Sequence, residues 1–222
     1  MSADLSKGMS IMKIVIFGAA GATGRIVVER ALEQEHEVTA FDRHIAPLTI
    51  QHPKLTLVQG DIFNPSQVEA AIAGQDAVIS VLGVRPGVTS PVCSEGTKNI
   101  ILAMQKLGVK RFIAQSAFAV AALDGEWREV PYLPLILPFF PKVKAMFADK
   151  VVQEQEILHS DLDWIIVRPA KLIDGPRTGE YKVSDPLMIG PGAKISRADV
   201  ADFLLKQVSN NTFLHKVPRL KY

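Results

Sequence analysis

Apolar residues recur along this chain in two alternating patterns. Short runs rich in Val, Ile and Phe, without alternating polar residues, predict strands buried on both faces. Such runs occupy residues 13–18, 37–41, 55–60, 76–83, 110–116 and 163–170. Apolar residues spaced by three and four predict amphipathic helices at 24–35, 65–74, 94–108, 148–160 and 196–209. The final run TFLHKV, residues 212–217, predicts an edge strand.

Residues that favour helix ends support these boundaries. Asn64 before Pro65 is a typical helix start, and Gly108 is a typical helix stop. Ser196 followed by Asp199 is a capping arrangement for the last helix. The elements therefore have defined starts and stops in the sequence itself.

The alternation of strands and helices predicts the fold class. Strand–helix–strand units with short connections form a doubly wound parallel sheet with helices on both faces. Right-handed crossovers bring the carboxyl ends of all the strands to one edge. The 222 residues are enough for one α/β domain, which we assign to residues 11–222. The polar residues 1–10 are expected to be a flexible extension, not a signal peptide.

Composition narrows the function classes. The formal net charge is +2 without a Lys/Arg run, which argues against nucleic acid as a partner. Cys93 is the only cysteine, and no histidines stand at metal-binding spacing, so we predict no disulfide and no metal site. A single thiol favours a reducing, cytoplasmic location. The apolar stretch 130–141 is too short and too proline-rich to span a membrane.

A glycine-rich turn joins the first strand to the first helix. In GAAGATG, Gly18 permits a backbone conformation that a side chain opposes, and Gly24 permits close packing. The small side chains let a phosphate approach main-chain N–H groups, and the positive end of the helix attracts it. This βαβ context predicts dinucleotide binding. The predicted phosphate-binding residues are Gly18, Ala20, Gly21, Ala22, Thr23, Gly24 and Arg25.

Residues after the next strands concern the adenosine half of the cofactor. Asp42 stands about 20 residues beyond the glycines, where a carboxylate binds ribose hydroxyls and favours NAD. The adjacent Arg43 can bind a 2′-phosphate, which favours NADP. We favour NADP, with NAD as the alternative. Asp61 either accepts from the adenine amino group, with Ile62 on the ring face, or caps the following turn.

These motifs resemble a known group. The segments IVIFGAAGATG, SEGTKNIILAMQKLGVKRFIAQSAF, VRPA and ISRADVADFLL resemble the atypical short-chain dehydrogenase/reductase group with NmrA-like members. The resemblance covers nearly the whole chain and is closest to the flavin reductase (biliverdin-IXβ reductase) type. It implies a single Rossmann domain that binds NADP(H) and reduces free flavins or linear tetrapyrroles by hydride transfer.

The resemblance also implies roles at the nicotinamide end. Ser116 would lie near the nicotinamide, with Pro169 and Lys171 beside its carboxamide, so Ser116 and Lys171 are the candidate catalytic residues. Lys150 is either a ribose ligand or a solvated helix lysine. The predicted wall beside the ribose and nicotinamide comprises Val81, Leu82, Gly83 and Arg85.

Three positions depart from the pattern of the group. Short-chain dehydrogenases use a Tyr-x-x-x-Lys pair for proton transfer, whereas Met146 stands four residues before Lys150. The flavin reductase type carries a histidine where this chain has Lys171, and a small apolar residue where it has Asp42. The missing tyrosine disfavours ordinary alcohol dehydrogenation and favours hydride transfer in which solvent or substrate supplies the proton.

Two functions remain open on the sequence. The first is an NAD(P)H-dependent reductase for a flavin or other conjugated small-molecule acceptor, which we favour. The second is an NmrA-like sensor that couples dinucleotide binding to a protein partner. The apolar segment 130–141 has three interpretations: a lid over a flat acceptor, a self-association patch, or a membrane-surface contact.

Overall fold

The computed structural model describes residues 11–83, 90–126 and 128–222. The predicted extension 1–10 and Arg85 lie outside these residues. The main sheet contains β1 (Lys13–Phe17), β2 (Glu37–Asp42), β3 (Leu55–Gln59), β4 (Ala77–Ser80), β5 (Arg111–Gln115), β6 (Asp163–Pro169), β8 (Lys182–Ser184) and β10 (Arg219–Lys221). A separate two-stranded sheet contains β7 (Lys171–Ile173) and β9 (Lys194–Ser196). The helices are α1 (Ala22–Glu33), α2 (Pro65–Ile72), α3 (Val92–Leu107), α4 (Val120–Leu123), α5 (Leu133–Ile136), a 3₁₀ turn (Leu137–Phe139), α6 (Pro141–Leu158) and α7 (Arg197–Lys206).

The strand order confirms the predicted doubly wound sheet. It runs β3-β2-β1-β4-β5-β6-β10-β8, and each neighbouring pair is parallel except β10 with β8. In the centre, Val15 of β1 lies between Thr39 of β2 and Val78 of β4. The chain winds outward from β1 in one direction and from β4 in the other. Sheets of this kind bind ligands where the winding direction changes, at the carboxyl ends of the strands.

Apolar side chains on both faces of the sheet form the core. Ile14 and Ile16 belong to the cluster beneath α1 and α7, whereas Val15 and Phe17 belong to the cluster beneath α2, α3 and α6. Because successive strand residues point to opposite faces, a strand covered on both sides must be apolar throughout. This is why the central strands, such as β4 and β6, appear in the sequence as continuous apolar runs. The prediction of burial on both faces is wrong for β3, whose residues are half-buried or exposed at the border of the sheet.

The predicted helix ends are confirmed at three positions. The Asn64 side chain accepts hydrogen bonds from the amides of Ser66 (3.1 Å) and Gln67 (3.3 Å) at the start of α2. Gly108 ends α3 in the left-handed conformation, with φ of 74°. The Ser196 hydroxyl accepts from the amide of Asp199 at 3.0 Å, which caps α7.

Two predicted boundaries are wrong. Helix α6 begins at Pro141 rather than at residue 148, since proline fits the first position of a helix without losing a hydrogen bond. The segment 212–217 forms turns rather than an edge strand. The last strand lies further on, at Arg219–Lys221, and it pairs inside the sheet between β6 and β8.

The apolar segment 130–141 divides between core and surface. Leu133 and Leu137 are each 5% exposed and pack into the core. Leu135, Phe139 and Phe140 are 73%, 79% and 55% exposed, respectively. In the part of the chain that the structure describes, no helix has both the length and the apolar character to cross a membrane.

Candidate functional site

The glycine turn lies at the carboxyl edge of the sheet, between β1 and α1. Gly18 has φ of 82°, and a Cβ there would stand 2.9 Å from the carbonyl oxygen of Val81. At Gly24 a Cβ would stand 2.1 Å from the oxygen of Gly18. The predicted need for glycine is therefore confirmed at both positions. The atoms nearest to a Cβ at Gly24 belong to Gly18 and Ala19 of the turn, and not to the strands of the sheet.

Hydrogen bonds decide which amides of the turn are free to meet a ligand. The amides of Gly18 and Ala19 donate to the carbonyl oxygen of Phe41 at 3.1 and 3.3 Å. The amide of Ala20 donates to the Asp42 carboxylate at 3.1 Å. Helix α1 begins at Ala22 without a side-chain cap among the described residues. Its first amides, rather than those of Ala19 and Ala20, can therefore meet a phosphate.

Asp42 is already engaged by the main chain. One carboxylate oxygen accepts from Ala20, and the other accepts from the amide of His44 at 3.0 Å. Arg43, by contrast, is exposed beside it. The pair thus presents a guanidinium to solvent, while the carboxylate braces the glycine turn.

A cavity of about 180 Å³ opens at this edge. It brings together Gly18, Gly21, Asp42, Arg43, Asp61, Ile62, Val81, Leu82 and Gly83 from the sequence-predicted set, and adds Phe41, His44, Gly60, Phe63 and Val92. A larger hollow of about 450 Å³ lies at the opposite edge, at the amino ends of β1 and β2. We place the site at the carboxyl edge, because parallel sheets bind ligands there.

Asp61 takes part in the turn while also lining the cavity. Its carboxylate accepts from the amide of Phe63 at 3.0 Å, which is the turn-capping interpretation. Its own amide donates to the Gln67 side chain at 2.7 Å. Ile62 is 6% exposed and presents its side chain between the cavity and α3.

The predicted nicotinamide-end residues follow β5 and β6. The Ser116 amide donates to the carbonyl oxygen of Val167 at 2.7 Å, and the Phe118 amide donates to that of Pro169 at 3.2 Å. Ser116 is 2% exposed, and its hydroxyl has no hydrogen-bond partner among the described residues. Lys171, at the start of β7, is exposed.

Lys150 is not a solvated helix lysine. It is 9% exposed, and its ammonium donates to the carbonyl oxygens of Leu82 (3.1 Å) and Gln115 (3.0 Å). The third donor binds the Gln153 side chain at 3.0 Å. The backbone position one helical turn before it belongs to Met146. These contacts decide between the two interpretations of Lys150 only by excluding the solvated one.

The sequence did not point to Asp149 or to the ion cluster beyond it. Asp149 accepts from the first amides of α3, and beside it burial raises the pKa of the Cys93 thiol. Arg168, 2% exposed, pairs with Glu154 and Glu126. Burial opposes the charge of Arg168, but these carboxylates raise its pKa above the ordinary value. The only sequence signal was the VRPA segment, which carries no information about partners.

Comparison with known protein families shows to which family the chain belongs. A family model described as NAD(P)H-binding matches residues 18–211, which include the glycine turn and the cavity. The chain belongs to this family. It therefore contains an NAD(P)H-binding domain.

Among curated relatives, a 3-beta-hydroxysteroid dehydrogenase from Mycolicibacterium neoaurum is 33% identical over 159 residues. The match covers 66% of this chain but 42% of that enzyme, so the chain spans less than half of its length. A chloroplastic protein of Arabidopsis thaliana is 30% identical over 229 residues, covering 97% of this chain and 80% of its own. Relatives of this chain thus include an oxidoreductase.

Solved structures show the same fold. A wide-type short-chain dehydrogenase/reductase from Veillonella parvula in complex with NADP has a TM-score of 0.78 and 17% identity, covering 96% of this chain and 95% of its own. An anaerobillin reductase from Escherichia coli O157:H7 has a TM-score of 0.76 and 22% identity, covering 94% and 96%. At these identities the likeness establishes the Rossmann-like architecture.

Proposed function

We propose that the protein is an NADPH-dependent reductase that delivers hydride to a flavin or another flat conjugated acceptor. The observation that carries this proposal is the combination of a cavity lined by predicted cofactor-binding residues at the carboxyl edge with Met146 at the position where the resemblance would place a proton-transferring tyrosine. The predicted nicotinamide-end residues Ser116, Lys150, Pro169 and Lys171 do not line this cavity. A conjugated acceptor spreads the negative charge left by hydride over its ring system. Its proton can therefore come from water, and the protein needs no acid at that position.

The preference for NADPH rests on Asp42 and Arg43. An aspartate that selects NAD accepts a hydrogen bond from the ribose 2′-hydroxyl. Here each carboxylate oxygen already accepts one main-chain amide, from Ala20 and from His44, so a ribose would compete for the remaining acceptor sites. The exposed Arg43 guanidinium lines the same cavity and suits a 2′-phosphate.

Other groups of the chain suit the rest of the cofactor. The amides at the start of α1, which have no side-chain cap within residues 11–83, 90–126 and 128–222, suit the diphosphate. The buried hydroxyl of Ser116, which has no hydrogen-bond partner in that same part of the chain, suits the carboxamide of the nicotinamide. When bound, the reduced nicotinamide supplies the hydride, and the protein supplies orientation and exclusion of water. Lys171 is exposed near the end of β6 and would attract an anionic acceptor.

The choice of acceptor draws on the resemblance to flavin reductases and on the apolar segment 130–141. A flavin combines a flat ring with an anionic phosphate, which suits apolar side chains together with a lysine. A relative is named as a 3-beta-hydroxysteroid dehydrogenase, which supports an oxidoreductase without selecting the acceptor.

A turnover assay tests the reductase. The purified protein is mixed with NADPH or NADH and a panel of flavins and quinones, and the loss of reduced-nicotinamide absorbance is followed. We expect flavin-dependent oxidation of NADPH. Tight NADPH binding without turnover of any acceptor would refute the enzyme and favour the dinucleotide sensor.

An arginine substitution tests the cofactor preference. Arg43→Ala is expected to raise the Kd for NADPH about 10- to 100-fold, because a charge-assisted pair contributes about 1.5–3 kcal/mol. The Kd for NADH should stay within about twofold. Lys182→Ala, which removes an exposed cation from β8 at the far edge of the sheet, is the matched control. Equal weakening of both cofactors would refute a 2′-phosphate contact.

A further inference from the structure

Helix α6 holds both ends of the connection between β4 and α3. At the first end, the Lys150 ammonium donates to the carbonyl oxygen of Leu82 at 3.1 Å. At the second end, the Asp149 carboxylate accepts from the amides of Cys93 at 2.9 Å and Ser94 at 3.1 Å. Two consecutive residues of one helix therefore fix the chain where it leaves the sheet and where it enters α3.

The Lys150 ammonium is committed to the protein. Besides Leu82, it donates to the carbonyl oxygen of Gln115 after β5 and to the side chain of Gln153. Gln153 is fully buried and donates in turn to the hydroxyl of Thr97 in α3. An ammonium group has three N–H donors, and all three have acceptors here. Its hydrogen bonds thus tie the ends of β4 and β5 to α6 and α3.

Asp149 supplies the cap that α3 lacks locally. The N-cap residue of α3 is Pro91, whose side chain offers no acceptor. Both oxygens of Asp149 bind the first turn instead, and one of them also accepts from the Ser94 hydroxyl. A carboxylate at this position satisfies unpaired amides and is stabilised by the helix dipole. The cap comes from a helix more than fifty residues further along the chain, at a separation of 56 from Cys93.

The two clamped ends of this connection belong to one wall of the cofactor cavity. Leu82 and Gly83 line the cavity from one end of the connection, and Val92 lines it from the other. We propose that Asp149 and Lys150 are positioning residues that hold this wall, with Lys150 acting through main-chain carbonyl groups instead of on a ribose hydroxyl or a tyrosine. The inference rests on the proposed function only for its kinetic test. The clamp itself is a property of the protein without cofactor.

Substitution of Lys150 gives the kinetic test. Lys150→Met leaves the Leu82 and Gln115 carbonyl groups without their donor, so the KM and Kd for NADPH should rise about tenfold or more. The pH profile of kcat should keep its shape, because no titrating catalytic group is removed. Lys150→Arg, which retains donors, should recover part of the affinity, and Lys144→Met, an exposed lysine on the same helix, should behave as the parent. Parental affinity in Lys150→Met, or a pKa lost from its kcat profile, would overturn the proposal.

Hydrogen exchange separates failure of the clamp from failure of the reductase, and it needs no cofactor. Asp149→Asn keeps one acceptor oxygen and replaces the other with an NH2 donor, so at least one of the amides of Cys93 and Ser94 should exchange at least tenfold faster than in the parent, while amides in the middle of α1 keep their rates. Unchanged exchange at both amides would refute the clamp even if the protein is an active reductase. Faster exchange in a protein that reduces no acceptor would support the clamp and reject the proposed function. Asp149→Asn also serves if Lys150→Met does not fold.

Discussion

Among the described glycines, Gly24 is the one at which an added Cβ would come closest to another atom. It lies in the first turn of α1, and a Cβ there would meet the oxygen of Gly18 at 2.1 Å. The Cα and the oxygen of Ala19 would both stand at 2.8 Å. All of these atoms belong to the main chain, so no side-chain rotation can make room for Gly24→Ala.

The sign of the effect distinguishes this contact from ordinary helix propensity. Alanine in place of a helical glycine normally stabilises a protein by up to about 1 kcal/mol. Overpacking against rigid neighbours costs about 1–3 kcal/mol or more. At 2.1 Å the overlap is severe, so the cost should exceed the gain in propensity. We expect Gly24→Ala to lower the free energy of unfolding by about 1–3 kcal/mol and to weaken NADPH binding, because the turn must move.

Urea unfolding followed by circular dichroism measures the stability, and calorimetry measures NADPH binding. Gly96→Ala, in α3, is the helical comparison for stability, because a Cβ there would meet side-chain atoms of Ile62 at 2.6 Å and Leu82 at 3.0 Å rather than main-chain atoms, so its cost should be smaller than that of Gly24→Ala. Gly190→Ala is the open control, because a Cβ there meets nothing within 4 Å among the described residues and Gly190 does not line the cavity. A Gly24→Ala protein as stable as the parent, or more stable, would refute the packing argument.

Three further predictions concern stability. Asn64→Ala should cost about 1 kcal/mol of unfolding free energy in a urea titration, whereas Asn64→Asp should be nearly neutral. Burial opposes ionisation of Asp199, but hydrogen bonds from Tyr222, Gly179 and Thr178 hold its pKa below 3.8. The contribution of Asp199 to stability is therefore present above that pH and is lost as pH falls through the folded pKa. Asp199→Asn should lower the melting temperature at neutral pH by more than it does in acid. Burial, with a smaller effect of Lys54, lowers the pKa of His36 below 6.5. The free energy of unfolding should therefore decline as pH falls beneath that value. A His36→Gln protein whose stability declines as steeply would contradict the role of His36.

The sheet could be predicted because its strands follow a local rule. A strand buried on both faces must be apolar at every position, as in β4, where all four residues are buried. The glycine turn could also be predicted from the sequence, because the φ of Gly18 and the crowding at Gly24 exclude other residues. The edge of the sheet at which the site is expected then follows from the parallel topology alone.

Helix α6 was harder to interpret, because polar residues with distant partners look like solvated ones. Lys150, Gln153 and Glu154 suggest an exposed face, yet each is buried. Their partners lie far away in sequence, with Leu82 68 residues from Lys150. Burial of a polar side chain is tolerated only when such partners exist. A single sequence does not reveal these pairings, so the clamp emerges only from the folded chain.

The position of β10 has a consequence for how the protein is made. This strand follows β8 in the chain, yet it lies between β6 and β8 in the sheet. During synthesis, β8 leaves the ribosome before the strand that it must pair with, so it has no place to dock until residues 219–221 have emerged. The nucleotide-binding half, from β1 to β5, is not subject to this delay. We therefore expect that the glycine turn forms in the nascent chain before β10 and β8 join the sheet.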